Sequence, residues 1–106
     1  MVKVSIIIPC YNEEKTIFNV INDIRNIKLD HKMEIIVVED GSTDQSANII
    51  SSFDDIKLIR HKSNLGKGTV IRTGITNATG DTLLFKRRPR ISPNGYSKIS
   101  KTNTAR

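Results

Sequence analysis

Apolar residues in this 106-residue chain form two kinds of pattern, short unbroken runs and runs spaced by three and four, and the two kinds alternate. Val4-Ser5-Ile6-Ile7-Ile8 is β-branched and stopped by Pro9, which predicts a buried strand. From Glu13 to Ile27, Ile17, Val20, Ile21, Ile24 and Ile27 recur at helical steps, with Asn12 placed to cap and acids in the first turn. Met33-Glu34-Ile35-Ile36-Val37-Val38 reads as a second buried strand, ended by Glu39-Asp40-Gly41-Ser42. Thr43 or Asp44 can cap a helix running to about Phe53, with Ala47, Ile49 and Ile50 inward. Ile56 to Arg60 predicts a third, less buried strand. Asn64-Leu65-Gly66-Lys67-Gly68 is a glycine-bearing loop leading into a helix from Thr69 to Ala78, with Val70, Ile71 and Ile75 available for packing. Thr79-Gly80-Asp81 closes that helix, and Thr82 to Phe85 is a short fourth strand.

Strand and helix thus alternate three times, which implies right-handed crossovers and a mostly parallel sheet in a three-layer α/β arrangement, with helices on both faces. Ligands in such sheets bind beyond the carboxyl ends of the strands. The loops at Pro9 to Glu13, at Glu39 to Ser42 and after Phe85 lie on that edge. After Phe85 the pattern breaks: Lys86-Arg87-Arg88-Pro89-Arg90 is charged and interrupted, Ser92-Pro93-Asn94-Gly95 is turn chemistry, and Ser97 to Arg106 has no period.

The net charge of +6 changes the picture only when it is located. Residues 1–85 carry ten Lys/Arg and eleven Asp/Glu, a net of minus one, while residues 86–106 carry seven Lys/Arg and no acid. A nucleic-acid surface on the body is therefore not expected, and the basic stretch reads as a solvated or disordered end. The single cysteine, Cys10, excludes an internal disulfide and suits a reducing, cytoplasmic setting. No apolar run reaches the ~20 residues a membrane-spanning helix needs.

Several residues at the carboxyl edge offer chemistry. Tyr11 can stack on a base and Glu13 can accept from base or ribose donors, or Asn12, Glu13 and Glu14 can serve only to start the helix. Glu39-Asp40 puts acid where a ribose or base N–H would sit, or caps the next helix. The glycine-bearing loop lacks the spacing of a P-loop, yet Lys67 offers a cation for a diphosphate. His31 and His61, near turns, read as solvated surface residues, and Cys10 has no partner that would make it a nucleophile.

Taken together, Ser5-Ile6-Ile7-Ile8-Pro9-Cys10-Tyr11-Asn12-Glu13-Glu14, Ile35 to Asp44 with its Glu39-Asp40-Gly41-Ser42 core, Asn64 to Gly68 and Ala78-Thr79-Gly80-Asp81 follow an order and spacing that resemble the family 2 inverting glycosyltransferases, close to their polyprenyl (dolichyl) phosphate mannosyltransferase-like branch. The resemblance covers residues 3 to 85; Glu39 stands where the family usually shows aspartate. It implies the Rossmann-like N-terminal half of a GT-A fold and a GDP- or UDP-linked sugar donor, with Pro9, Tyr11, Asn12, Glu13, Val38, Asp40 and Lys67 as the nucleotide-sugar-binding positions. It also implies a polyprenyl phosphate or glycan acceptor, and intact relatives working at the cytoplasmic face of a membrane.

The family's fourth strand runs into an Asp-x-Asp that holds Mg²⁺ or Mn²⁺ against the diphosphate. Here Arg87-Arg88-Pro89 occupies that position, and guanidinium groups cannot ligate a cation. The expectation is therefore a nucleotide-binding part, residues 1–85, that retains no metal site and no catalytic base and does not transfer sugar, followed by a tail, residues 86–106, that is frameshifted or disordered. Codons permitted for Lys86 to Arg106, with two bases inserted after the first, spell a peptide beginning Lys-Asp-Ala-Asp-Leu-Glu, which looks like the family's metal motif. The alternative is a non-catalytic nucleotide- or phosphate-binding α/β module.

Overall fold

In the computed structural model, which describes residues 2–27 and 32–86, four strands and three helices alternate along the chain. They are β1 (Lys3–Cys10), α1 (Ile17–Arg25), β2 (Lys32–Glu39), α2 (Ser46–Ser51), β3 (Ile56–Arg60), α3 (Lys67–Asn77) and β4 (Thr82–Phe85). All three strand pairings are parallel and the sheet order is β3-β2-β1-β4. The chain steps outward from β1 to β2 to β3 and then returns to the far side of β1. The order therefore reverses between β1 and β4, and the carboxyl edge there is the switch point at which open α/β sheets form a crevice.

Alternation along the central strands divides the core in two. Val4, Ile6, Ile8 and Cys10 of β1 and Ile35 and Val37 of β2 pack with Ile17, Ile21, Ile24, Ile50 and Phe53 from the α1/α2 side. Ile7, Ile36 and Val38 face the other way and meet Val70 of α3. Burial on both faces is why these strands read as unbroken apolar runs. Each fully buried isoleucine contributes roughly 1.5–3 kcal/mol, so the α1/α2 layer carries most of the stability and the α3 layer less.

Several boundaries differ from the sequence expectation for physical reasons. β1 continues through Pro9 to Cys10, because β4 ends opposite Ile7 and Pro9 has only β2 beside it, an edge position that tolerates a missing N–H. The first helix starts at Ile17, not Glu13, and ends at Arg25, leaving Ile27 exposed beyond it. The second starts at Ser46, while the third starts two residues early, at Lys67. Ile75 does not pack: it is 47% exposed, and Gly74 occupies the sheet-facing position instead. A Cβ on Gly74 would lie 2.5 Å from Cγ2 of the fully buried Ile7, so the absent side chain is what lets α3 lie close on the sheet. The basic tail beyond Lys86, and His31, lie outside the described residues.

At the amino end of the sheet one carboxylate joins four segments. Glu34 accepts from the Ser5 hydroxyl at 2.7 Å, from the Thr79 amide at 3.0 Å and from the Thr79 hydroxyl at 3.1 Å, and pairs with Lys57 at 3.3 Å. Burial alone would raise its pKa, but these donors outweigh burial and hold it down to about 2. Such a group stabilises the fold above the unfolded carboxyl pKa near 4.5 and loses that contribution as pH falls toward about 2.

Three measurements follow from this packing. Gly74→Ala should lower stability by about 1–2 kcal/mol in urea unfolding, because overpacking against Ile7 outweighs the gain in helix propensity. Glu34→Gln should cost on the order of 2 kcal/mol at neutral pH, and its gap to the parent chain should close as the pH is lowered from 5 to 2. Cys10 is buried, and burial pushes its thiol up to about 12; a thiol reagent at pH 8 should therefore leave it unmodified until the chain is unfolded.

Candidate functional site

The carboxyl edge is built from the loops after β1 and β2 and from the loop before α3. Backbone N–H groups at such an edge have left the sheet and have not yet entered a helix, so each needs another acceptor. The first two loops solve this by exchange. The amides of Asn12, Glu13 and Glu14 donate to Ser42 Oγ at 2.8 Å, Ser46 Oγ at 2.9 Å and Asp44 Oδ2 at 3.2 Å. In return, the amides of Thr43 and Gln45 donate to Asn12 Oδ1 at 2.8 Å and Glu14 Oε1 at 2.9 Å.

This exchange corrects the expected role of Asn12. Its side chain serves the second loop and caps nothing on α1, and its backbone stands at φ +51°, a left-handed conformation that asparagine tolerates. A left-handed residue cannot begin a helix, so Glu13 to Thr16 form a turn and Glu13 O accepts from the Thr16 and Ile17 amides. Tyr11 and Glu13 are left half-buried on the edge, where a ligand's base and ribose could reach them.

The end of β2 carries two buried acids. Glu39 is fully buried; its carboxylate accepts from the Ser42 amide at 2.5 Å and from Arg60 Nε at 3.2 Å. Asp40, 4% exposed, accepts from His61 Nδ1 at 2.7 Å and the Leu65 amide at 2.9 Å through Oδ1, and from the Gly66 amide at 3.1 Å through Oδ2. Burial would raise the Asp40 pKa, but the His61 bond and the two amides outweigh it and hold the carboxyl below its ordinary value. Asp40 therefore orders the glycine-bearing loop as well as facing the edge. Gly41 follows at φ +78°, and a Cβ there would come within 2.4 Å of the Ser63 carbonyl carbon, so the two backbones touch where no side chain fits.

His61 is not the solvated residue its sequence context suggests. Its side chain is 9% exposed, with Nε2 at 2.9 Å from Thr73 Oγ1 on α3. Nothing local in the sequence marks it: its partners stand 21 and 12 residues away. Of the exchanging side chains, Glu14 and Asp44 read in the sequence only as local helix starters, and nothing local marks Ser42 and Ser46.

The remaining expected positions divide. Pro9 and Val38 are paired in register at the ends of β1 and β2; Pro9 is half-buried, while Val38 is fully buried and packs toward Val70 of α3. Lys67 is exposed as the first residue of α3, where the helix's positive end adds to its charge. Beyond β4 the chain continues with Lys86, buried and with its amide bonded to Ile7 O at 2.9 Å. Burial lowers the Lys86 pKa, against the opposing pull of Asp23 and Glu13. A cation here, followed in sequence by Arg87 and Arg88, does not fit a divalent metal. Among the described residues no group of three or more His, Cys, Asp or Glu is arranged to hold one.

The chain as a whole has counterparts among known proteins. A dolichyl-phosphate beta-glucosyltransferase of Trichomonas vaginalis is 33% identical over 110 residues, covering 93% of this chain and 32% of its own length. The chain spans between 19% and 47% of the length of the curated relatives it matches. Among solved structures, S. aureus TarS in complex with UDP-GlcNAc superposes with a TM-score of 0.72 at 30% identity, over 79% of this chain and 26% of that one. The mannosyltransferase PcManGT of Pyrobaculum calidifontis, in complex with GDP-Man and Mn²⁺, gives 0.66 at 26% identity, over 77% and 26%. The model of the family described as "Glycosyl transferase family 2" matches residues 5–85, and with an α/β sheet of this order and these loops the chain belongs to that family.

Proposed function

We propose that this chain holds the nucleoside end of a GDP- or UDP-linked sugar at its carboxyl edge and does not itself transfer the sugar. The observation that carries this reading is the placement of Tyr11, Glu13 and Asp40 on loops locked to one another beside the β1/β4 switch point. Tyr11 supplies a stacking face and Glu13 an acceptor, while Pro9 forms the floor with the buried Val38 behind it. Asp40 retains acceptor capacity for a base N–H or ribose hydroxyl, and Lys67 offers charge to the diphosphate. The nucleotide sugars bound by TarS and PcManGT support this class of ligand.

Transfer needs more than binding. A diphosphate leaving group carries charge that family members neutralise with a metal, and Arg87-Arg88-Pro89 stands here where metal-binding carboxylates would be required. Cations can hold a diphosphate, but they present no ligand to Mn²⁺. The acceptor class we assign to the family context is a polyprenyl phosphate or glycan, on the strength of relatives named as dolichyl-phosphate glucosyltransferases and a poly-beta-1,6-N-acetyl-D-glucosamine synthase. None of the described helices is long and apolar enough to cross a membrane; we place the chain on the cytoplasmic side, where nucleotide sugars are met.

The specific alternative, a non-catalytic phosphate-binding module, is favoured by the same cationic stretch. Calorimetric titration with UDP and GDP separates the two. The expected result is binding near millimolar, about −4 kcal/mol, with no gain from Mn²⁺. Metal-enhanced tight binding, or Mn²⁺-dependent release of nucleotide from an activated sugar, would contradict the proposal. Binding of inorganic phosphate with neither nucleotide bound would favour the module.

A further inference from the structure

His61 is a polar side chain at the carboxyl end of β3 with no place in the nucleotide contacts, yet it is nearly enclosed and both ring nitrogens are engaged. Its own position is fixed from three sides: its amide donates to Glu39 O at 2.9 Å, Nδ1 meets Asp40 and Nε2 meets Thr73. With Asp40 ionised, Nδ1 must be the donor in that bond, and Nε2 meets the Thr73 hydroxyl on the other side of the ring.

Asp40 has about four acceptor directions on its two oxygens. His61 and the Leu65 amide use those of Oδ1, and the Gly66 amide uses one on Oδ2. One direction on Oδ2 is left for a ligand donor, and its aim depends on the carboxylate not rotating. The two amides sit on a loop and cannot set that orientation alone, since Asp40 is what orders the loop. The ring, held between β3 and α3, can.

We propose that His61 is a positioning residue for the nucleotide site: it orients the Asp40 carboxylate and, through it, the glycine-bearing loop that leads into α3. The inference rests on the reading of this edge as a nucleotide site, and it adds a residue that touches no ligand. Loss of the His61 bond leaves Asp40 buried with two amide donors in place of three partners. The carboxylate then turns, the Leu65 and Gly66 amides open to solvent, and the acceptor direction meant for the ligand is lost.

Two variants of the full chain separate orientation from packing. His61→Asn places a side-chain amide N–H near the position of Nδ1 and keeps the donor to Asp40, whereas His61→Gln places its amide near Nε2 and keeps only the Thr73 side. Thermal melting establishes that both are folded. His61→Gln should weaken UDP or GDP binding about tenfold, equivalent to about 1.4 kcal/mol, and should speed hydrogen exchange of the Leu65 and Gly66 amides by a similar factor. His61→Asn should keep both within about threefold. Equal losses in the two variants would reduce His61 to a packing residue and overturn the proposal. If the parent chain binds neither nucleotide, the functional reading fails, and the amide comparison still decides whether His61 orients Asp40.

Discussion

The need of peptide groups that have left the sheet for new hydrogen-bond partners governs its carboxyl edge. Strands end there and helices have not begun, so the amides of Asn12, Glu13, Glu14, Thr43 and Gln45 would be left to solvent if each loop served only itself. The two loops serve one another through Ser42, Ser46, Asp44, Asn12 and Glu14. The loops therefore form one rigid surface, and Tyr11 and Glu13 inherit its rigidity.

The same logic organises the other side of the edge around charge. Asp40 supplies acceptors to the loop before α3, and Glu39 supplies them to the Ser42 amide and to Arg60. Two adjacent acids at a strand end are thus buried back to back, each neutralised by different neighbours. The one-carbon-longer Glu39 still curls back onto the Ser42 amide three residues on, so its carboxylate does the work of a turn.

Much of the fold was legible because its strongest signals are local. The β-branched runs of β1 and β2 announce burial on two faces, and the helical spacing of Ile17, Ile21 and Ile24 announces α1. Helix starts were not legible, because the loop amides that precede α1 and α2 bond side chains of the neighbouring loop, and a window of sequence contains only half of each pair. Ile75 was misplaced because spacing cannot distinguish a face that packs through a side chain from one that packs through its absence at Gly74. Tyr11, Glu13 and Asp40 are named through the resemblance, whereas the burial of His61 is not legible, since its partners meet it only once β3 and α3 are brought beside β2.

The unequal depth of the two core layers has a kinetic consequence. On its face of the sheet, α3 is anchored by Val70 and the close seat of Gly74, and otherwise by polar links to His61 and the loop before it. The opposite layer is held by Ile17, Ile21, Ile24, Ile50 and Phe53 together. Among the described residues, the α3 layer is therefore the one that local opening would reach first, with Lys67 at its leading end. A ligand gripping both the Asp40 loop and Lys67 would act as a clasp across it, holding down the less anchored of the two layers at the moment of its capture.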